Sequence, residues 1–130
     1  MLTLYILKTH HEEKSIAKLL SSLDGVFDNI LKVERTHGIN EDVKETDWYA
    51  VFFDNEIVSL DLKDAMLKIM EIETDIDCFI FMEKYPDGRI FQAPRMFKKH
   101  VELGAHGFMP TDQSLKFERI LDGWIKKDVI

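Results

Sequence analysis

Asp47-Trp48-Tyr49-Ala50-Val51-Phe52-Phe53-Asp54-Asn55-Glu56 is the stretch on which the fold turns. Six apolar or aromatic residues run without a break, and two carboxylates flanking an amide follow at once. A short apolar run without alternation suits a strand buried on both faces. Its polar end would then open at the carboxyl edge of a sheet, where open α/β sheets place their ligands.

Upstream of this strand, Leu2–Leu7 reads as a buried first strand. Thr9 with Glu12 three residues on fits a capping box. The helix that follows carries Ile16, Leu19, Leu20 and Leu23 on one face, and Gly25 suits its C-terminal cap. Phe27 to Val33 gives a second strand, so a βαβ unit with a parallel pair is expected. Downstream, Asp61 to Ile72 predicts a helix with Leu62, Ala65, Met66, Ile69 and Met70 as its stripe. Cys78–Met82 is another apolar strand. Pro86 and Gly88 mark a hairpin leading back through Ile90–Ala93 and on, extended, past Pro94 to Lys99. Asp112 is placed to cap a final helix with the stripe Phe117, Ile120, Leu121, Trp124 and Ile125. The expected architecture is one α/β domain over residues 1–130: three-layer-like, with a mainly parallel sheet, a C-terminal antiparallel hairpin and about three helices.

Composition narrows the function. With 130 residues and 45% apolar content the chain can bury a core of ordinary size. The net charge of −7 disfavours wrapping nucleic acid, which needs a basic surface. It permits a protein partner, including a role as an acidic mimic that occupies a basic groove. No apolar run approaches the roughly 18 residues of a membrane span. The opening residues lack a basic leader and a cleavage site, so they read as a strand and not as a signal peptide. The single cysteine, Cys78, allows no internal disulfide and sits in an apolar run, so a reducing, cytoplasmic setting is expected. His10, His11, His37 and His106 do not have zinc-site spacing. No Gly-x-Gly-x-x-Gly, Walker or nucleophile-elbow motif is present, which argues against a dinucleotide oxidoreductase, a P-loop enzyme and a serine hydrolase.

At the end of the Trp48–Phe53 strand, Asp54 and Glu56 lie two residues apart. Mg²⁺ or Mn²⁺ takes hard oxygen ligands and keeps several waters, so one or two carboxylates plus a substrate diphosphate would complete its shell. The same residues equally make a solvated turn. Arg95, Lys98 and Lys99 form the main basic cluster of the second half, suited to a diphosphate or to a solvated strand face.

Three motifs in this order resemble the inverting GT-A glycosyltransferases of family two. They are the opening Leu4–Ile16, then Thr46–Glu56 with its Asp-Trp before the acidic end, and then Asp87-Gly88-Arg89-Ile90 through Pro94-Arg95-Met96-Phe97-Lys98-Lys99 to Gly104-Ala105-His106-Gly107. The chain departs from the family's pattern in its short Thr36–Thr46 segment, in Asp-Asn-Glu where Asp-Ala-Asp is usual, and in His106-Gly107 where His-Glu is usual. The resemblance implies a shortened GT-A-like domain that binds a nucleotide-sugar. Asp54 and Glu56 would be its metal ligands. Thr9, His10, Glu34, Arg95 and Lys98 would contact the nucleotide. His106, with Glu102 behind it, would stand where a general base must take the acceptor proton. Three functions are therefore expected: a metal-dependent inverting glycosyltransferase, a nucleotide- or protein-binding module of the same ancestry without catalysis, and an acidic interaction or inhibitor protein.

Overall fold

The computed structural model describes residues 2–7, 13–34, 46–104, 108–112 and 114–127, with side chains in the first helix from Ile16 onward. The strands are β1 (Leu2–Leu7), β2 (Asn29–Val33), β3 (Trp48–Phe53), β4 (Glu56–Val58), β5 (Cys78–Lys84), β6 (Ile90–Lys98), β7 (Phe117–Arg119) and β8 (Ile125–Lys127). The helices are α1 (Glu13–Ser22) and α2 (Leu60–Glu71). All eight strands join one sheet in the order β2-β1-β3-β6-β5-β8-β4, with β7 also paired to β5.

The expected parallel core is present where β1 runs beside both β2 and β3. Beyond β3 the sheet changes character. β6 runs antiparallel to both β3 and β5, β8 parallel to β5, and β4 antiparallel to β8. The result is a curled, mixed half-barrel made mostly of strands.

This overturns the expected three-layer, mainly parallel α/β domain with about three helices, and the shortened GT-A form with it. Among the described residues there are two helices, and both lie on the same face. Leu19 of α1 and Leu62, Met66 and Ile69 of α2 pack into one cluster with Leu2, Leu4, Ile6, Trp48, Ala50 and Phe52. The opposite face buries Tyr5, Leu7, Tyr49, Val51 and Phe97 under Val101 and Leu103, with Phe108, Leu115 and Phe117 against them. Among the described residues, connecting chain and not helix covers that face. Tyr49 fastens it by donating its hydroxyl to the Val101 carbonyl at 2.6 Å. Burial pushes the Tyr49 phenol well above its ordinary pKa, so it stays a donor.

β1 and β3 feed alternate side chains to these two clusters, which is why their apolar runs are continuous. Cys78 is a buried free thiol in the second of these clusters, pushed up to about 12 by burial and by the Asp77 carboxylate. It is therefore a thiol at neutral pH, packed as a small hydrophobe.

The final helix is the largest local correction. Phe117 and Ile120, three apart, would share a helix face. Here they pack on opposite sides of the sheet, as odd spacing requires in a strand. Leu121 is 76% exposed while Ile125 is buried, so the apparent stripe is not one continuous buried face. Between β7 and β8 the chain turns at Gly123, with φ +73°. That turn presses on the start of α2, whose N-cap Ser59 accepts from the Leu62 amide at 3.3 Å and from the Trp124 amide at 2.9 Å. A Cβ on Gly123 would stand 2.3 Å from Ser59 Oγ and 2.4 Å from the Leu62 nitrogen.

Gly123→Ala should therefore cost both the left-handed penalty of about 1–2 kcal/mol and an overpacking term of about 1–3 kcal/mol. Gly88 in the β5–β6 hairpin also has positive φ, but nothing lies near its missing Cβ. Gly88→Ala should show the first cost alone. Equal losses in urea unfolding would contradict the close packing described at Gly123.

Candidate functional site

Arg95 is the organising side chain of the site. β5 and β6 pair regularly up to Phe79 opposite Met96, and the register then jumps to Ile80 opposite Pro94. Arg95 is the extra residue of that β-bulge. Pro94, with no N–H to give a ladder, is tolerated beside it. A bulge re-aims its side chain, and the Arg95 guanidinium is carried into the interior, where it is fully buried.

Its partners come from three other elements. Nη1 donates to Glu56 Oε1 at 2.7 Å and to the Val51 carbonyl at 3.1 Å. Nη2 donates to Glu56 Oε2 at 2.7 Å and also to Glu83 Oε2. Lys127 of β8 adds its ammonium to Glu56 Oε2 at 2.9 Å. The Phe108 ring lies 4.1 Å from the guanidinium carbon, and the Phe53 ring 4.1 Å from Lys127 Nζ. Two cations thus face two carboxylates in an aromatic box.

The ionised Glu56 carboxylate has about four lone-pair positions. Oε1 takes Arg95 Nη1 and the Phe53 amide, the latter at 2.6 Å, and Oε2 takes Arg95 Nη2 and Lys127. All four positions carry donors. Burial alone would raise the Glu56 carboxyl, but Arg95, and after it Lys127, outweigh that and hold it below the ordinary glutamate range. Burial likewise opposes the charge on Arg95, while Glu56 and then Glu83 raise its pKa further.

The expected site residues are distributed unevenly around this box. Asp54 is buried at the end of β3, with its amide on the Leu7 carbonyl at 3.2 Å. Glu56 and Arg95 are brought together, but as partners of each other. Lys98 pairs with Trp48 at the amino end of β3, about 17 Å along the strand from Phe53. Its ammonium donates to the Thr74 carbonyl, on the far side of the sheet from Asp54 and Glu56. Glu34 is exposed just after β2. Glu102 is exposed beyond β6, and its carbonyl accepts from the Thr111 amide at 2.9 Å. Thr9, His10 and His106 lie outside the described residues.

Among the described residues no group of three or more His, Cys, Asp or Glu side chains is placed to hold a metal. Glu56 as placed has no lone pair to offer Mg²⁺ or Mn²⁺, and its two cationic neighbours would repel either ion. The expected Asp54–Glu56 ligand pair does not fit that arrangement.

Sequence reading missed Glu83, Lys127 and Phe108. Glu83 had a signal: it continues the alternate positions Phe79 and Phe81 of β5, a buried series that ends in a carboxylate. Lys127 was hidden by the helical reading of its segment, and Phe108 by the lack of any period around it. No protein-family model matches the chain, and no curated protein matches it either.

Removing one partner of a buried ion pair leaves the other charge without compensation and typically costs about 3–5 kcal/mol. Arg95→Met, which keeps the apolar stem and strands Glu56 and Glu83, should lose that much in urea unfolding. A loss below about 1 kcal/mol would show that the box does not hold the sheet. The pH dependence follows from the sign of the Glu56 shift. A carboxyl depressed in the folded state contributes stability that is full above its unfolded value, about 4.3. That stability is lost as the pH falls through the folded value. Wild type should thus lose stability progressively below about pH 4.3, and Glu56→Gln should flatten that acid limb.

Proposed function

We propose that the chain is a binding module that takes a nucleotide-type, phosphorylated ligand at the carboxyl edge of β1, β2 and β3, without metal-dependent sugar transfer. The observation that carries this reading is the convergence of three neighbouring parallel strands. They end side by side at Leu7, Val33 and Phe53. The carboxyl ends of neighbouring parallel strands are the usual ligand position in open α/β sheets. The half-buried Phe53 and Phe108 rings, edge to face at 5.4 Å, stand at that end of the sheet as an apolar wall.

The ligand class rests on the motif resemblance to family-two glycosyltransferases. The choice of binding over transfer rests on Glu56. A transferase of that kind needs its acidic motif to hold a metal that neutralises the leaving diphosphate. In this chain the second carboxylate of the motif is held by Arg95 and Lys127 instead.

Thermal unfolding in the presence of UDP, GDP, CDP and their sugar conjugates, each with and without Mn²⁺, tests the reading. A ligand at a hundredfold excess over its Kd adds about 2.7 kcal/mol, a rise of several degrees in Tm for a chain of this size. The expected result is a Tm rise with at least one nucleotide diphosphate, equal with and without Mn²⁺, and no sugar release. No shift with any nucleotide overturns the proposal. A shift that needs Mn²⁺ and accompanies sugar release replaces it with the transferase.

A further inference from the structure

A second feature lies on the helical face, away from the Arg95 box. Between α2 and β7 runs a groove of about 360 Å³. Its floor is apolar, made by Ile69, Phe79 and Ile120. Its rim carries Asp61, Asp64, Glu118 and Asp122 against a single ammonium, Lys68. Four carboxylates and one cation leave three uncompensated negative charges over an apolar floor. Ile72, which also lines the groove, is 57% exposed at one end of α2, and Leu60 and Leu121 are 69% and 76% exposed at the other. Exposed large apolar side chains grouped near one groove mark an interaction surface, whereas isolated ones do not.

The backbone beside the groove adds an independent constraint. β7 pairs with β5 and, among the described residues, with no other strand. The Lys116 carbonyl accepts from the Cys78 amide, and the Ile120 amide donates to the Ile80 carbonyl. Backbone groups alternate in direction along a strand, so the amide and carbonyl groups of Phe117 and Arg119 point away from β5. Among the described residues the sheet thus has an open edge bordering the acidic groove. Glu118 and Ile120 project into the groove, and a strand added at that edge would point every second side chain under α2 in the same way.

We infer that this groove is a docking site for an extended, basic segment of a partner protein, added as a strand along β7, whose groove-facing alternate positions carry both Lys or Arg for the rim and aliphatic residues for the floor. Main-chain bonds to Phe117 and Arg119 would supply affinity, and the floor and rim would supply specificity. The basic character follows from charge complementarity with the rim and with the net charge of −7. The extended form follows from the open edge, which a helix could not satisfy. The site is separate from the nucleotide-type site, and each stands if the other fails.

Fluorescence anisotropy with the full chain and a labelled nonapeptide, in which Lys and Val take turns at every second position with Thr between them, tests the inference, with the Glu-for-Lys peptide as control. The expected result is saturable binding of the basic peptide alone, weakened about tenfold or more between low and high salt. Asp64→Lys with Glu118→Lys, both at exposed positions, should abolish it. Arg119→Pro removes an outward amide without touching the β5 ladder, and should weaken binding about tenfold. Three results would overturn the inference. They are no binding of the basic peptide, equal binding of the acidic one, and binding unchanged in the Asp64/Glu118 variant. Full binding by Arg119→Pro would also overturn it, by removing strand addition. Should that variant fail to fold, the charge variant alone decides the outcome.

Discussion

A guanidinium placed in an apolar interior must be compensated or the fold around it fails. Moving such a charge from water costs several kcal/mol even after relaxation, and only close, oriented counter-charges repay it. Arg95 meets that condition through Glu56 and Glu83, with Lys127 balancing the second carboxylate. These four side chains come from β6, β4, β5 and β8, four strands that are neighbours in the curled half of the sheet. The two shortest of these, β4 and β8, have three residues each, too few to be held by ladder hydrogen bonds and propensity alone. The charge box supplies the specificity that such short strands lack.

The remaining architecture follows from a division of labour between the two faces. On one, α1 and α2 bury a broad aliphatic cluster, and their single stripes were easily seen. On the other, aromatic side chains do the covering. Tyr5 meets Tyr49 edge to face at 5.7 Å, and Tyr49 stacks on Phe97 at 5.1 Å. Large rings bury much area per residue, so among the described residues connecting chain closes this face and no third helix is used.

Legibility tracked the length and regularity of each segment. β1, β3, α1, α2 and the β5–β6 hairpin were all readable, because each is long enough to show its period or its turn residues. β4, β7 and β8 were not, since three residues cannot distinguish a strand from part of a helix. Phe117, Ile120, Leu121, Trp124 and Ile125 illustrate the trap: apolar spacing alone imitates a helix when a glycine turn separates two short strands. The site was legible only in its composition. Asp54, Glu56 and Arg95 stood out as polar residues beside apolar runs. That Glu56 and Arg95 would neutralise each other depended on a register jump that no local pattern encodes. The partner Glu83 could have been found by extending the alternation of β5 two residues further.

The register jump has a consequence of its own for how this chain tolerates change in length. One residue of β6 is spent sideways, so the strand is a residue longer than the ladder it serves. Deleting Arg95 itself would close the ladder smoothly, with Met96 still opposite Phe79 and Phe97 still opposite Cys78, so both side chains would keep their clusters. Deleting Met96 instead would draw Arg95 into the place opposite Phe79, where the cation would meet an aliphatic cluster without its carboxylates. The extra residue therefore serves the buried charge and not the ladder, and the position of a deletion decides what the sheet loses.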